Sequence, residues 1–397
     1  MTRRDGTLRP TIGVALMFAS NGALFASLLP WYPLLVERLA LDTAAFGLVV
    51  SAFVAGAIVS SALPAPLVGR FGPIPVSIGS TLLLAAGLAA AGFAGAPWML
   101  AACLGAIGFC DAIADVAQND AAITVQRRRG RQIISSMHAM WSLGCVAGGA
   151  LATAAAAAGL GIGAYLIVAG GTGAALVITG GAMTLRFTGR ARVREAGGGA
   201  TGAEQPSPSR RRIMVAIAPL VCIGLFATVV EDIANNWAAL SAVAVGGSPP
   251  AVSGIAYTLM IGSQCLGRFT GDPLIDRYGR ARVARFGGIL IAAGGLAVVG
   301  AEGRPVLLFT GLALAGFGSA TLIPSAFSAA AEVPGLRQGT ALTLIGWLMR
   351  VGAVVASPAI GLFAGAASLR WALGLLVIVG VAVALLARSL DEHRYRA

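Results

Sequence analysis

The chain has 397 residues, of which 57% are hydrophobic and only 11% charged, with a formal net charge of +12. A soluble globular domain carries about 25% charged residues, so a water-solvated fold is excluded. All 28 basic residues are Arg, and the absence of Lys excludes a Walker-type phosphate loop and ATP hydrolysis by this chain. Its two histidines, His138 and His393, supply no Cys/His metal spacing.

Runs of roughly 20 apolar residues suffice to cross a bilayer. In chain order, twelve are expected, over 11–36, 44–68, 74–94, 97–122, 133–158, 161–185, 213–243, 251–271, 283–301, 305–330, 339–366 and 370–388. At this composition helices satisfy every backbone group within lipid, so the predicted fold class is an all-α membrane protein. The first run ends in Pro30, Trp31 and Pro33 without a small-residue cleavage site, which speaks for a retained span rather than a signal peptide. The five cysteines fall inside runs and read as small packing residues, with no disulfide expected.

With the N-terminus inside, 23 of the 28 arginines fall on cytoplasmic segments. The opposite side holds Arg38, Arg304 and Arg370, while Arg268 and Arg350 lie within spans. The positive-inside rule then places both termini in the cytoplasm, as in a multi-pass inner-membrane protein. The basic balance is a topology signal, and no nucleic-acid partner is expected. Residues 186–212 are rich in Gly, Pro, Ser and Arg and have no apolar face. The expected division is an N-terminal six-helix bundle (1–189), a solvated cytoplasmic linker (190–212) and a C-terminal six-helix bundle (213–397). The halves echo one another: PLVGRFGPIPV follows the second run and PLIDRYGRARV the eighth, and LGCVAGGAL matches VGAVVASPAIG in its small-residue rhythm. Two related halves joined by a long basic loop is the plan of a secondary transporter with a central site.

Charges inside the spans mark the candidate chemistry. In GFCDAIADVAQND (108–120), Asp111, Asp115 and Asn119 are four residues apart and share one helix face, with Asp120 following. Asp111 lies about 20 Å along its helix, well inside a bilayer core of roughly 30 Å. A charge there costs at least about 2.5–3.5 kcal/mol, so it must face a cavity or a partner. Asp111 reads as functional. Asp115 and Asn119 either act with it or lock the fourth helix to the fifth through His138 or Ser142. Glu231 and Asp232 precede Asn235, Asn236 and Trp237. Adjacent residues point about 100° apart, so one of the two acids at most faces the pore squarely. Glu231 either faces that pore or caps an interrupted helix. Arg350 lies about 16 Å deep and needs an anion, either Glu231 or Asp232 or a substrate carboxylate or phosphate. Arg268 ends the eighth run beside Asp272 and Asp276 and reads as part of a gate. His138 is a hydrogen-bonded packing residue or a proton relay. Trp141, Trp237 and Trp347 line a cavity or anchor helices.

The segment GDPLIDRYGR (271–280) resembles the cytoplasmic-loop signature of the major facilitator superfamily. DVAQND with VQRRRGRQIISSMHAMWSLG (115–144), EDIANNW (231–237), GRFTGD (267–272) and Asn21–Gly22 are similar to its rhizopine-transporter-like branch. The resemblance implies twelve helices in two pseudo-symmetric bundles, alternating access, no cofactor and no enzymatic activity. Its partners are a small polar solute, protons and the lipid bilayer, and it implies a monomer. Together with the buried charges it assigns proton coupling to Asp111, Asp115, Glu231 and Asp232. Substrate contacts fall to Asn21, Asp111, His138, Trp141, Glu231, Asn236, Gln264 and Arg350, and gating to Arg70, Arg268, Asp272, Asp276, Arg277 and Arg280.

There are departures from the family pattern. Gly69 stands where the first-half loop usually has Asp, and Pro73–Ile74 where it has basic residues. Gln126 replaces a Glu, Asp120 a small residue and Arg350 an aromatic one. The antiporter signature of the fifth span keeps Gly144, Gly148 and Gly149 but lacks its Pro. The favoured reading is a proton-coupled exporter (antiporter) of a small polar solute. Alternatives are a proton-linked uptake symporter, a non-transporting membrane receptor on the same fold and, last, a membrane-embedded enzyme. The branch's link to inositol-derived amines suggests a cyclitol or aminosugar-like solute, whereas Arg350 suits an acidic one.

Overall fold

A computed structural model describes residues 5–130, 133–188, 210–331, 333 and 338–391. Most of the expected linker lies outside them, as do Arg131, Arg337, His393 and the side chain of Asp272. The described residues form helices and turns, with no strand among them. Eleven helical stretches among them are long and apolar enough to cross a membrane. The expected eighth span is also helical, but it runs from Gly254 to Tyr278 through Pro273 rather than ending at 271. Its 25 residues reach about 37 Å. Gln264, Arg268, Asp276 and Arg277 along it keep its hydropathy below that of the other eleven. The whole is a twelve-helix, all-α membrane fold.

The chain divides into two compact units, Met1–Leu41 with Val49–Gly199 and Asp42–Leu48 with Ala200–Ala397. The first contains α1 (Asp5–Leu28), most of α2 (Thr43–Val59), α3 (Pro73–Ala91), α4 (Pro97–Arg129), α5 (Ile134–Ala157) and α6 (Ile162–Thr188). Prolines open α3 and α4, where their fixed φ suits the first turn and no amide donor is lost. Helix α4 closes on Gly130 in the left-handed region (φ 67°), with Arg127, Arg128 and Arg129 at the negative end of its dipole. The side-chain oxygen of Gln126 then accepts from the backbone N–H groups of Ile133 (2.9 Å) and Ile134 (3.3 Å), capping the start of α5. An amide oxygen serves for this as well as the carboxylate that the family pattern carries there.

Helix α1 packs on α5 and α6, and α3 packs on α4 and α6. Without a hydrophobic drive in lipid, such contacts depend on small residues that let backbones approach. A Cβ on Gly22 would collide with the Trp141 carbonyl, and one on Gly144 or Gly148 with the carbonyls of Ala19 or Ala23. Gly56 and Gly108 sit in the same way against Gly105 and Phe53 between α2 and α4. Gly144 and Gly148 of the antiporter signature thus form the seam of α1 with α5.

The second unit contains α7 (Arg210–Asp232), α8 (Gly254–Tyr278), α9 (Arg280–Val299), α10 (Pro305–Ser319), α11 (Gln338–Ala366) and α12 (Leu375–Leu386). Helix α7 passes into a π-helical turn, Ile233–Trp237, and a short helix, Ala238–Ala244. The expected tenth span is split into α10 and a second helix, Leu322–Ala331. The packing plan of the first unit recurs: α7 on α11, α9 on α10 and α12, and α8 on α10 through Gly267 and Gly316. The echoed loops share a backbone. Gly72 (φ 89°, ψ 160°) precedes α3 and Gly279 (φ 82°, ψ 152°) precedes α9, a region essentially reserved for Gly. In both loops an Arg lies over the following aromatic ring at 5.3 Å, Arg70 over Phe71 and Arg277 over Tyr278.

Candidate functional site

In the first unit, three expected site residues meet across three helices. Trp141 on α5 donates its indole N–H to Asn21 Oδ1 on α1 (3.0 Å), and Asn21 Nδ2 donates to Asp111 Oδ1 on α4 (3.1 Å). Asn21 is 3% exposed, so its amide orientation is fixed by these two partners. Gly22 permits the arrangement, because only a residue without Cβ lets α1 lie against the Trp141 backbone. Asp111 is half-buried and makes no ion pair among the described residues. Aromatic rings flank the cluster, with Phe25 centred 5.9 Å from Trp141 and 5.5 Å from Phe53. The arrangement holds one carboxyl group, positioned by a neutral donor, in a helix whose next acid, Asp115, lies one turn further along.

Asp115 is exposed one turn further along α4. Asn119 donates both to its carbonyl and to its Oδ1 at 2.9 Å, so the Asn119 amide is committed within its own helix rather than to α5. Ser142 likewise donates to the His138 carbonyl (3.1 Å). His138 is exposed, with its ring edge-on to Phe18 at 5.5 Å.

In the second unit the adjacent acids have different surroundings. Glu231 Oε1 accepts from Arg268 Nη2 at 3.0 Å, and the two side chains are 32% and 38% exposed. Gln264 Nε2 adds a contact to the same oxygen (3.4 Å) and to Ser319 Oγ (3.3 Å). Asp232 is buried instead. It accepts from Asn236 Nδ2 (2.8 Å) and from Ser357 Oγ at both carboxylate oxygens (2.8 and 2.7 Å). Ser357 in turn accepts from Asn236 (3.2 Å) and from the Trp237 indole (3.2 Å). The π turn makes this closure local, because its wider winding brings Asn236 and Trp237 round to α11. The edge of Phe46 packs on Trp237 with centroids 5.3 Å apart.

The two arginines within the spans differ in their partners among the described residues. Arg268, read from its position as part of the loop gate, pairs with Glu231. Arg350, read as a candidate partner of Glu231 or Asp232, is exposed and joined to neither. The register between α7 and α8 decides this, and sequence spacing does not fix that register. Among the other gate residues, Arg70, Asp276 and Arg277 are exposed and Arg280 is buried. Sequence reasoning misses Ser357 and Ser319. The signal for Ser357 is its place in the small-residue run VVASPAIG.

Two of the three arginines on the expected outer side have local side-chain partners. Arg38 donates to the carbonyls of Gly92 (3.1 Å) and Ala94 (2.9 Å) just beyond α3, and Arg370 pairs with Glu302.

Comparison with known proteins agrees with this architecture. The sequence profile of the Major Facilitator Superfamily matches residues 221–396. An uncharacterized transporter of Sinorhizobium fredii, y4wD, is 30% identical over 389 residues, covering 97% of this chain and 99% of that protein. Among solved structures, the nucleoside transporter NupG superposes with a TM-score of 0.70 at 15% identity, covering 97% of this chain and 98% of NupG. A D-xylose–proton symporter superposes with a TM-score of 0.68 at 13% identity, covering 96% and 97% of the two chains. The chain belongs to the major facilitator superfamily and is a multi-pass membrane transporter, not an enzyme.

Proposed function

We propose that the protein is a proton-coupled exporter of a small polar solute, exchanging solute for protons by alternating access in the inner membrane with both termini in the cytoplasm. The observation that carries this is Asp111. A carboxyl group within a membrane span, held by the neutral Asn21 amide and without an ion pair among the described residues, is a group whose charge can be switched by one proton. Glu231 differs, because Arg268 already neutralises it at 3.0 Å. Asp111 is therefore the first choice for the coupling residue, with Asn21 and Trp141 as its positioning partners. The orientation rests on the arginine asymmetry, which the local ties of Arg38 and Arg370 leave intact. The D-xylose–proton symporter shares the fold and keeps uptake by symport as the second reading.

One experiment separates the two. In proteoliposomes that enclose a pH-sensitive dye, external solute entering by antiport drives protons out and alkalinises the lumen. Entry by symport acidifies it, whichever way the protein is inserted. Solute entry with no pH change would contradict proton coupling of either kind.

A further inference from the structure

The arrangement of charge in the second unit bears on what kind of solute is carried. Away from the helix ends, its spans hold Glu231, Asp232, Arg268 and Arg350. Glu231 is taken by Arg268 at 3.0 Å, and Asp232 is surrounded by the neutral donors Ser357 and Asn236. No hydrogen bond or ion pair joins Arg350 to any of the described residues, so among them its charge is the one in these spans left without a counterpart. A guanidinium stays protonated in proteins and cannot shed that charge.

Its position on α11 shows what it faces. Leu348, Val351, Val355 and Leu362 form an exposed apolar stripe (37%, 44%, 57% and 61% exposed), the pattern of a face turned to lipid. At about 100° per residue, Arg350 points roughly 130° away from the middle of that stripe. It falls instead within about 20° of Ser357 and Gly361. Those two face protein, Ser357 bonded to Asp232 and Gly361 lying against the Thr43 carbonyl. Arg350 is thus exposed on the protein-facing side of its helix, about two turns before that side closes at Ser357. An exposed cation there faces away from the apolar stripe that suits acyl chains.

We propose that Arg350 is an anion subsite, and that the transported solute carries a carboxylate or phosphate which the guanidinium fork binds. The inference rests on the reading of the chain as a carrier of a polar solute. It uses neither the direction of transport nor the proton.

The test uses the full-length protein and a matched hexose series: glucose, glucosamine, glucuronate and glucose 6-phosphate, with inorganic phosphate alongside. In thermal-shift titrations the anionic members should stabilise the wild type. Their apparent affinity should fall about tenfold or more in Arg350→Gln and less in Arg350→Lys, as expected for losing a charge-assisted contact. The ligand-free melting temperature should not move in either variant. A second reading needs no recognised sugar. A cysteine at Val354, one turn on, should react faster with a sulfonate-bearing than with a trimethylammonium-bearing thiosulfonate reagent, and Arg350→Gln should abolish that preference. Identical responses of wild type and Arg350→Gln, including no anion-specific response in either, would overturn the subsite. So would stabilisation by phosphatidylglycerol in place of every soluble anion, because that places Arg350 against lipid. Anion binding without any flux would refute the transport reading and leave the subsite standing. Flux of neutral or cationic solutes alone would do the reverse.

Discussion

Glu231 and Asp232 are neighbours in sequence, yet their partners give them opposite sensitivity to substitution. The Glu231–Arg268 pair is about one-third exposed on each side, and pairs of that kind contribute about 0–1 kcal/mol. Glu231→Gln, which keeps a hydrogen-bonding group of the same shape, should therefore leave the melting temperature nearly unchanged. Ser357→Ala removes a donor to both oxygens of buried Asp232 and strands the Trp237 indole as well. That should cost about 1–3 kcal/mol and appear as a clear drop in melting temperature in detergent. Equal melting of the two variants would mean that Asp232 finds other partners. The acids themselves are legible from sequence, because carboxylates stand out against an apolar run. Ser357 is not, because a lone serine among small residues looks the same whether or not it touches an acid 125 positions away.

At the scale of elements, the small-residue rhythm carries more information than any single motif. Gly144 and Gly171 are both helical glycines of the first unit. A Cβ on Gly144 would collide with the Ala19 carbonyl, whereas one on Gly171 meets nothing within 4 Å. Gly144→Ala should destabilise by about 1–3 kcal/mol through overpacking of α1 against α5, with Gly171→Ala as the neutral control. If the two melt alike, the seam yields and the close approach is not what orders these helices. The echoed loops allow a parallel comparison. Gly72 and Gly279 occupy the same positive-φ conformation, so alanine at either position should cost about 1–3 kcal/mol. A tolerated Gly72→Ala beside a costly Gly279→Ala would show that the first loop, already missing Asp at Gly69, is under less constraint. The echo PLVGRFG and PLIDRYG foretold these matched turns, since only Gly adopts that backbone freely. The break between α10 and Leu322–Ala331 is marked by Pro324, which has no N–H to give the Ala320 carbonyl, whereas the π turn at 233–237 leaves no comparable mark. That turn depends on how neighbouring helices fill space rather than on local propensity.

For the whole molecule, composition and the spacing of apolar runs are enough to foresee twelve helices and a membrane. The one span that hydropathy underrates, α8, is the one that brings Arg268 and Gln264 to Glu231. Its polarity reflects the chemistry it carries. What the amino-acid order leaves open is which cation meets which acid, because helices far apart in sequence choose their register only on packing. The central claim is that Asp111 carries the coupling proton. It is tested most directly with Asp111→Asn, which preserves the Asn21 contact but cannot be ionised. In proteoliposomes, the account predicts that this variant still exchanges labelled solute for unlabelled solute across the membrane. Solute movement should no longer change the luminal pH, and an imposed pH gradient should no longer drive accumulation. An Asp111→Asn protein that still accumulates solute against its gradient at the expense of a pH difference would contradict the account.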